Sequence, residues 1–166
     1  PILQHATDNT YYLNYNIDGS YGYPGCIYTE NLNSKDFTDN NTVIYGHNMK
    51  NGSMFADIID YKKQSFFDEH PTAMLMTPEK NYKIEFFSGY VANVEQDAWS
   101  YYFDNDEVFE QWLISSKSKS NFASDIVPNA NDEILTLSTC SGAGYSTRWV
   151  VQAVWNQDAS YMPPQY

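Results

Sequence analysis

Basic residues are scarce in this chain of 166 residues, and arginine is almost missing. Nine Lys and Arg face 21 Asp and Glu, a net charge of −12, which repels phosphate backbones and anionic lipid. Nucleic acid is therefore not an expected partner. No stretch approaches the ~20 consecutive apolar residues of a membrane-crossing helix, and no signal peptide opens the sequence. Cysteine is confined to Cys26 and Cys140, and histidine to His5, His47 and His70, with no ligand cluster at zinc-binding spacing. Neither a metal nor a cofactor is expected, and acidic pairs such as Asp68-Glu69 read as solvated surface. Internal repeats and low-complexity linkers are also absent.

What the chain has in quantity is tyrosine, 15 residues, together with four tryptophans. That composition leans towards a β-rich secreted domain. The length suits a single domain spanning 1–166, since a chain of this size buries roughly 68–70% of its unfolded surface. The two termini, 1–10 and 156–166, the latter carrying Pro163-Pro164, are expected to be loosely held.

Strands are expected at Tyr11 to Ile17, Gly25 to Thr29, Thr42 to Tyr45, Ala73 to Thr77, Lys83 to Val94, Glu133 to Ser138 and Arg148 to Trp155. Tyr82, Ile84 and Phe86 alternate with Lys83 and Glu85, the period of a half-buried strand, and Ser88-Gly89 permits a bulge. Many short strands divided by turns favour a barrel or a sandwich. Two helices interrupt them. Ser53 is positioned to cap one carrying Phe55, Ile58 and Ile59, with Pro71 closing the stretch that follows. Asp104 and Glu107 form a capping pattern for a second, with Val108, Phe109, Trp112 and Leu113 as its apolar face and Lys117 and Lys119 near its C-terminus.

The chemistry concentrates in two segments. Thr136-Leu137-Ser138-Thr139-Cys140 ends an apolar run on a cysteine, and the sole arginine, Arg148, follows eight positions later. A thiol can serve as nucleophile, and a planar cation can stabilise an oxyanion. His47 ends the β-branched run Thr42-Val43-Ile44-Tyr45-Gly46-His47 before the polar turn Asn48 to Gly52, and supplies a general acid and base. His5, in a polar terminus, and His70, in an acidic turn before Pro71, are expected to do neither.

Val43 to Asp57 resembles the histidine motif of class B sortases, and Thr136 to Cys140 resembles their cysteine motif. The order His, Cys, Arg and the β-type run Trp149 to Val154 agree, so the likeness covers roughly Tyr11 to Val154. It implies an eight-stranded β-barrel with short helices. It also implies a cysteine transpeptidase that cuts a C-terminal sorting signal through a thioester and joins the secreted protein to a peptidoglycan amine. An amino-terminal helix would hold such an enzyme at the outer face of the membrane, with Pro1 opening a soluble ectodomain. The resemblance assigns catalysis to His47, Cys140 and Arg148. It places Tyr45 and Ser138 beside them, puts Tyr101 and Tyr102 in the wall that grips the signal, and offers Asn14 as a hydrogen-bonding contact to the peptide. That wall is the connection between the sixth and seventh strands, which carries the long helix.

A Cys26–Cys140 disulfide is conceivable in a secreted chain, but it would cap the nucleophile, so a free Cys140 and a half-buried Cys26 thiol are expected. Backbone amides next to Cys140 are further candidates for the oxyanion. Ser141-Gly142-Ala143-Gly144 departs from the family, where acidic or bulkier residues often follow the cysteine, and a substrate contact at Ser141 stays open. Two other functions compete: a thiol peptidase that releases its acyl-enzyme to water, and a noncatalytic β-barrel that binds peptide or glycan.

Overall fold

The computed structural model describes residues 1–142 and 144–155, so the tail from Asn156 lies outside the described residues. Seven strands form one sheet: β1 (Ile2–Leu3), β2 (Ile27–Thr29), β3 (Asn41–Tyr45), β4 (Thr72–Met76), β5 (Asn81–Asn93), β6 (Glu133–Cys140) and β7 (Thr147–Trp155). Their order is β1-β2-β3-β6-β7-β5-β4. β3 and β6 run parallel, while β7 is antiparallel to both its neighbours, β6 and β5. The sheet curls, because Ile2 on one edge strand and Leu75 and Met76 on the other line one cleft of about 490 Å³ with Phe37, Tyr82 and Trp155.

The described residues thus hold seven strands rather than eight. Tyr11 to Ile17 is not a strand: Tyr11–Leu13 is a 3-10 turn, and the Tyr11 and Tyr15 rings stack at 4.4 Å. A strand holds residues four apart far from each other; a helical turn brings them together. The edge strand Ile2–Leu3, inside the terminus expected to be loose, pairs with Ile27 and Tyr28.

The central strands are buried on both faces, which is why Trp149 to Val154 reads as an apolar run without alternation. Leu135, Trp149, Val151, Ala153 and Phe86 pack on one side with Tyr61 and Phe67, and Ile134 and Phe87 on the other with Phe109, Trp112 and Leu113. The neighbours Phe86 and Phe87 serve opposite faces. The β5–β7 register shifts at Phe87, between Phe86 and Ser88, just ahead of the Ser88-Gly89 position expected for a bulge.

A buried polar chain crosses three strands. Gln152 Nε2 donates to Thr136 Oγ1 at 3.3 Å, Thr136 Oγ1 donates to Asn41 Oδ1 at 2.7 Å, and Asn41 Nδ2 donates to the Ser100 carbonyl at 2.8 Å. All three side chains are fully buried, so a shift in register would strand polar atoms away from water.

Both helices differ from expectation at their starts. Ser53 caps nothing: its hydroxyl donates to Asn51 Oδ1 at 2.7 Å within a turn. The helical chain then begins as a 3-10 segment at Asp57–Lys62, followed by α1 (Gln64–Glu69) ahead of Pro71. The second helix, α2 (Asp106–Ser118), is capped by Asn105 and not Asp104, with Asn105 Oδ1 accepting from Val108 N at 3.0 Å. Its buried stripe is Phe109, Trp112, Leu113 and Ser116, and Val108 is 46% exposed. Lys117 reaches the carbonyls of Ser124 and Ile126. Lys119 pairs with Asp97 at 3.4 Å.

The packing makes the cap and the buried phenols measurable. Asn105→Ala removes the cap and is expected to cost ~1 kcal/mol in denaturant unfolding. Burial pushes the phenols of Tyr28 and Tyr90 from 10.0 up to about 12, Glu30 adding to the shift at Tyr28, and burial moves Tyr61 in the same direction. The unfolded chain loses these protons near its ordinary value while the folded chain keeps them. Their contribution to stability is therefore complete below about pH 10 and lost as pH rises towards about 12. Urea midpoints should fall between about pH 9 and pH 11, with phenolate absorbance lagging behind that of free tyrosine.

Candidate active site

The strand order sets the site. Tyr45 ends β3 and pairs with Ser138 on β6, and Gly46 N donates to the Ser138 carbonyl at 3.1 Å, so His47 emerges beside the end of β6. Cys140 closes β6 and pairs directly with Arg148 on β7. Cys140 therefore stands between His47 on one flank and Arg148 on the other. A cleft of about 240 Å³ is lined by all three, together with Asn9, Thr10, Leu13, Tyr28, Tyr45, Gly46, Ser138 and Thr139.

Gly46 is required by its neighbour: a Cβ there would fall 2.7 Å from the Phe55 ring. Phe55 N returns to the His47 carbonyl at 3.0 Å, closing the polar turn after His47. Asn48 Nδ2 donates to the Cys140 carbonyl at 3.3 Å, tying that turn to the thiol strand. On the other side of the ring, His47 Nε2 lies 3.2 Å from the Leu13 carbonyl. A carbonyl has no proton to give, so this contact requires the proton on Nε2 and leaves Nδ1 as the basic nitrogen. The Tyr23 ring lies 5.1 Å from the His47 ring.

Cys140 is exposed and both cysteines are free thiols; Cys26 is half-buried, its sulfur 3.6 Å from the Tyr15 carbonyl. Arg148 Nη1 donates to the carbonyls of Tyr145 and Thr147, both at 2.9 Å. It joins none of the ion pairs among the described residues, so its remaining donors have no carboxylate to neutralise them.

Tyr45 and Ser138 line the cleft and hold its walls. The Tyr45 hydroxyl donates to Glu30 Oε2 at 2.9 Å, and Asn9 Nδ2 donates to the same oxygen at 2.6 Å. Burial, reinforced by the Glu30 charge, pushes the Tyr45 phenol far above its ordinary value, so it serves as a neutral donor. Ser138 Oγ accepts from Trp99 Nε1 at 3.1 Å. A second cleft of about 380 Å³, lined by Tyr45, Val94, Gln96, Trp99, Ser138 and Arg148, continues the first, since the two share Tyr45, Ser138 and Arg148.

Three other nominated residues lie off this path. Tyr102 is 71% exposed and lines a separate cleft against α2 with Phe103, Asp104 and Val108. Tyr101 is half-buried beside it, and Asn14 is exposed just after the turn that carries Leu13. Ser141 is buried, its hydroxyl 2.7 Å from Thr147 Oγ1. His5 accepts from Thr7 N and Asp8 N, and exposed His70 follows α1.

Several groups escaped the sequence: Glu30, the Leu13 carbonyl, Asn48, Lys62 and Trp99. Only Trp99, beside Tyr101-Tyr102, and Asn48, directly after His47, carried a hint. Lys62 gave none. It donates to the Ser141 carbonyl at 3.1 Å and lies 5.3 Å over the Trp149 ring.

A family model for the sortase domain matches residues 4–156. The chain belongs to the class B sortase family. A sortase B of Listeria monocytogenes is 39% identical over 140 residues, which are 84% of this chain and 56% of that relative. The chain thus spans little more than half of the relative's length. The Staphylococcus aureus sortase B-substrate complex superposes with a TM-score of 0.88 at 31% identity, covering 96% of this chain and 74% of that one. Clostridium perfringens sortase B gives 0.86 at 35% identity, over 95% and 86%. The curled seven-stranded sheet of this sortase domain accordingly has the sortase B fold. Among the described residues no group of acidic, histidine or cysteine side chains could hold a metal ion.

Lys62→Met keeps a stem over Trp149 but loses the charged donor to the loop that follows Cys140. It is expected to cost about 1–2 kcal/mol in denaturant unfolding and to speed amide hydrogen exchange in the loop between Cys140 and Thr147.

Proposed function

We propose that this domain is a cysteine transpeptidase of the bacterial cell surface, cleaving a C-terminal sorting signal of secreted proteins and passing the new acyl end to a peptidoglycan amine. The observation that carries the reading is the alignment of His47, Cys140 and Arg148 on adjacent strand ends around one cleft. That the Staphylococcus aureus sortase B forms a substrate complex supports the same kind of binding by this domain. In the whole protein an anchor preceding this domain would hold it at the outer membrane face.

The chemistry proceeds in two halves. The Cys140 thiolate attacks the scissile carbonyl, and the guanidinium of Arg148, without a carboxylate partner among the described residues, donates to the oxygen as charge builds on it. His47, protonated on both nitrogens, gives its Nδ1 proton to the departing amine and keeps Nε2–H on the Leu13 carbonyl. A thioester on Cys140 remains, and neutral His47 then takes a proton from the incoming amine as that amine displaces the sulfur. The sorting signal would run along the linked clefts past Tyr45, Ser138 and Trp99, where apolar rings and a few donors suit a short extended segment. Tyr101, Tyr102 and Asn14 remain candidates for its outer contacts.

A pentapeptide library with and without an amine acceptor, read by mass spectrometry, tests the reading: ligated product identifies transfer, and acid alone identifies a peptidase. Neither product would leave a noncatalytic binding module. Cys140→Ala is expected to abolish both products, while Cys26→Ala keeps most activity. Arg148→Lys is expected to lower kcat on the order of 10²–10³-fold with little change in KM, the signature of a directed oxyanion donor. A rise in KM alone would assign Arg148 to peptide binding instead.

A further inference from the structure

Cys140 has two flanks, and they differ in charge and lining. The β7 flank carries the cation Arg148 and continues into the cleft of Val94, Gln96 and Trp99. The β3 flank carries His47, and against its ring stands Tyr23, 68% exposed at a ring separation of 5.1 Å. Tyr23 occupies the turn between Gly22 and Gly25, and its ring makes no other ring contact among the described residues. Its outer face is open to solvent beside the group that exchanges protons.

An acceptor amine arrives at neutral pH as an ammonium. It must reach the thioester from the His47 side, because the same imidazole that protonates the departing amine deprotonates the arriving one. Arg148 repels it from the opposite flank, and a chain with a net charge of −12 draws cations towards its surface. An aromatic face attracts an ammonium through its quadrupole. We infer that Tyr23 and His47 together form the subsite at which a primary ammonium is captured before transfer.

This inference rests on the transfer reading above. The ammonium gives one proton to His47 and becomes the nucleophile. Its nitrogen forms the new C–N bond as the C–S bond breaks, the sulfur of Cys140 leaves with the electron pair, and the second nitrogen proton passes to water. Tyr23 takes no part in bond making; it holds the cation where His47 can reach it.

The test separates capture from chemistry. Acetylate Cys140 with p-nitrophenyl acetate, verify the site by fragment mass, and follow discharge of the acyl-enzyme by triglycine, whose amine is cationic, and by hydroxylamine, which is uncharged at neutral pH. In Tyr23→Ala the ratio of triglycine to hydroxylamine rate constants is expected to fall roughly 2- to 5-fold relative to the native chain, the scale of one exposed cation–π contact. Tyr23→Phe, which keeps the face and loses the hydroxyl, should restore most of that ratio. An unchanged ratio in Tyr23→Ala, or an equal fall in Tyr23→Phe, would overturn the subsite. The rate with hydroxylamine alone should stay near native in Tyr23→Ala; a fall in that rate as well would mark damage to His47 and count against the subsite. A native acyl-enzyme that triglycine discharges no faster than water does would remove the transfer reading itself, an outcome that involves no Tyr23 variant.

Discussion

Everything at the site depends on three strands keeping their register. β3, β6 and β7 are bound by backbone ladders, but ladders alone tolerate a slip, and a slip of one residue turns every side chain to the opposite face. The buried run Gln152, Thr136, Asn41 denies that freedom, because its hydrogen bonds close in one alignment only. The same alignment puts Tyr45 opposite Ser138 and Cys140 opposite Arg148. Polar atoms in the core thus place Cys140 and Arg148 together at the rim of the sheet.

The walls of the cleft are set more by backbone carbonyls than by charges. Leu13 fixes the protonation of one imidazole nitrogen, the Cys140 carbonyl receives Asn48, and the Ser141 carbonyl receives Lys62. Each bond joins segments far apart in the chain to the ends of β3 and β6. Glu30 acts in a similar way behind the cleft wall, gathering Asn9 and Tyr45 on a single oxygen. Among the described residues the side chains of His47 and Arg148 are hydrogen-bonded by backbone carbonyls alone, which suits the proposed exchange of partners during a reaction.

The sequence carried much of this and missed a definable remainder. Six of the expected strands lie within a residue or two of their places, because β-branched and aromatic runs between polar turns are strong local signals. Cys140 and Arg148 were legible as a pair since a short hairpin connection puts them opposite each other. Tyr11 to Ile17 was misread because tyrosine favours strands in general, while here ring stacking four residues apart rewards a turn. Ser53 and Asp104 failed as caps because a rival acceptor, Asn51, and a better-placed neighbour, Asn105, took the hydrogen bonds. Glu30, Lys62 and the Leu13 carbonyl could not be seen at all: their roles arise from contacts whose partners lie 15 to 79 positions away.

The order of the strands in space also bears on when the molecule becomes competent. β7 is the last strand among the described residues, yet it lies between β5 and β6, so the sheet is finished by insertion and not by addition at an edge. Its hairpin with β6 is local and brings the guanidinium to the thiol's side early. The pairing of β3 with β6 joins distant parts of the chain, and pairings of such long range form slowly. The complete cleft is therefore a late-folding feature: a β6–β7 hairpin that has not yet met β3 carries a cysteine and an arginine without the histidine that completes their cleft.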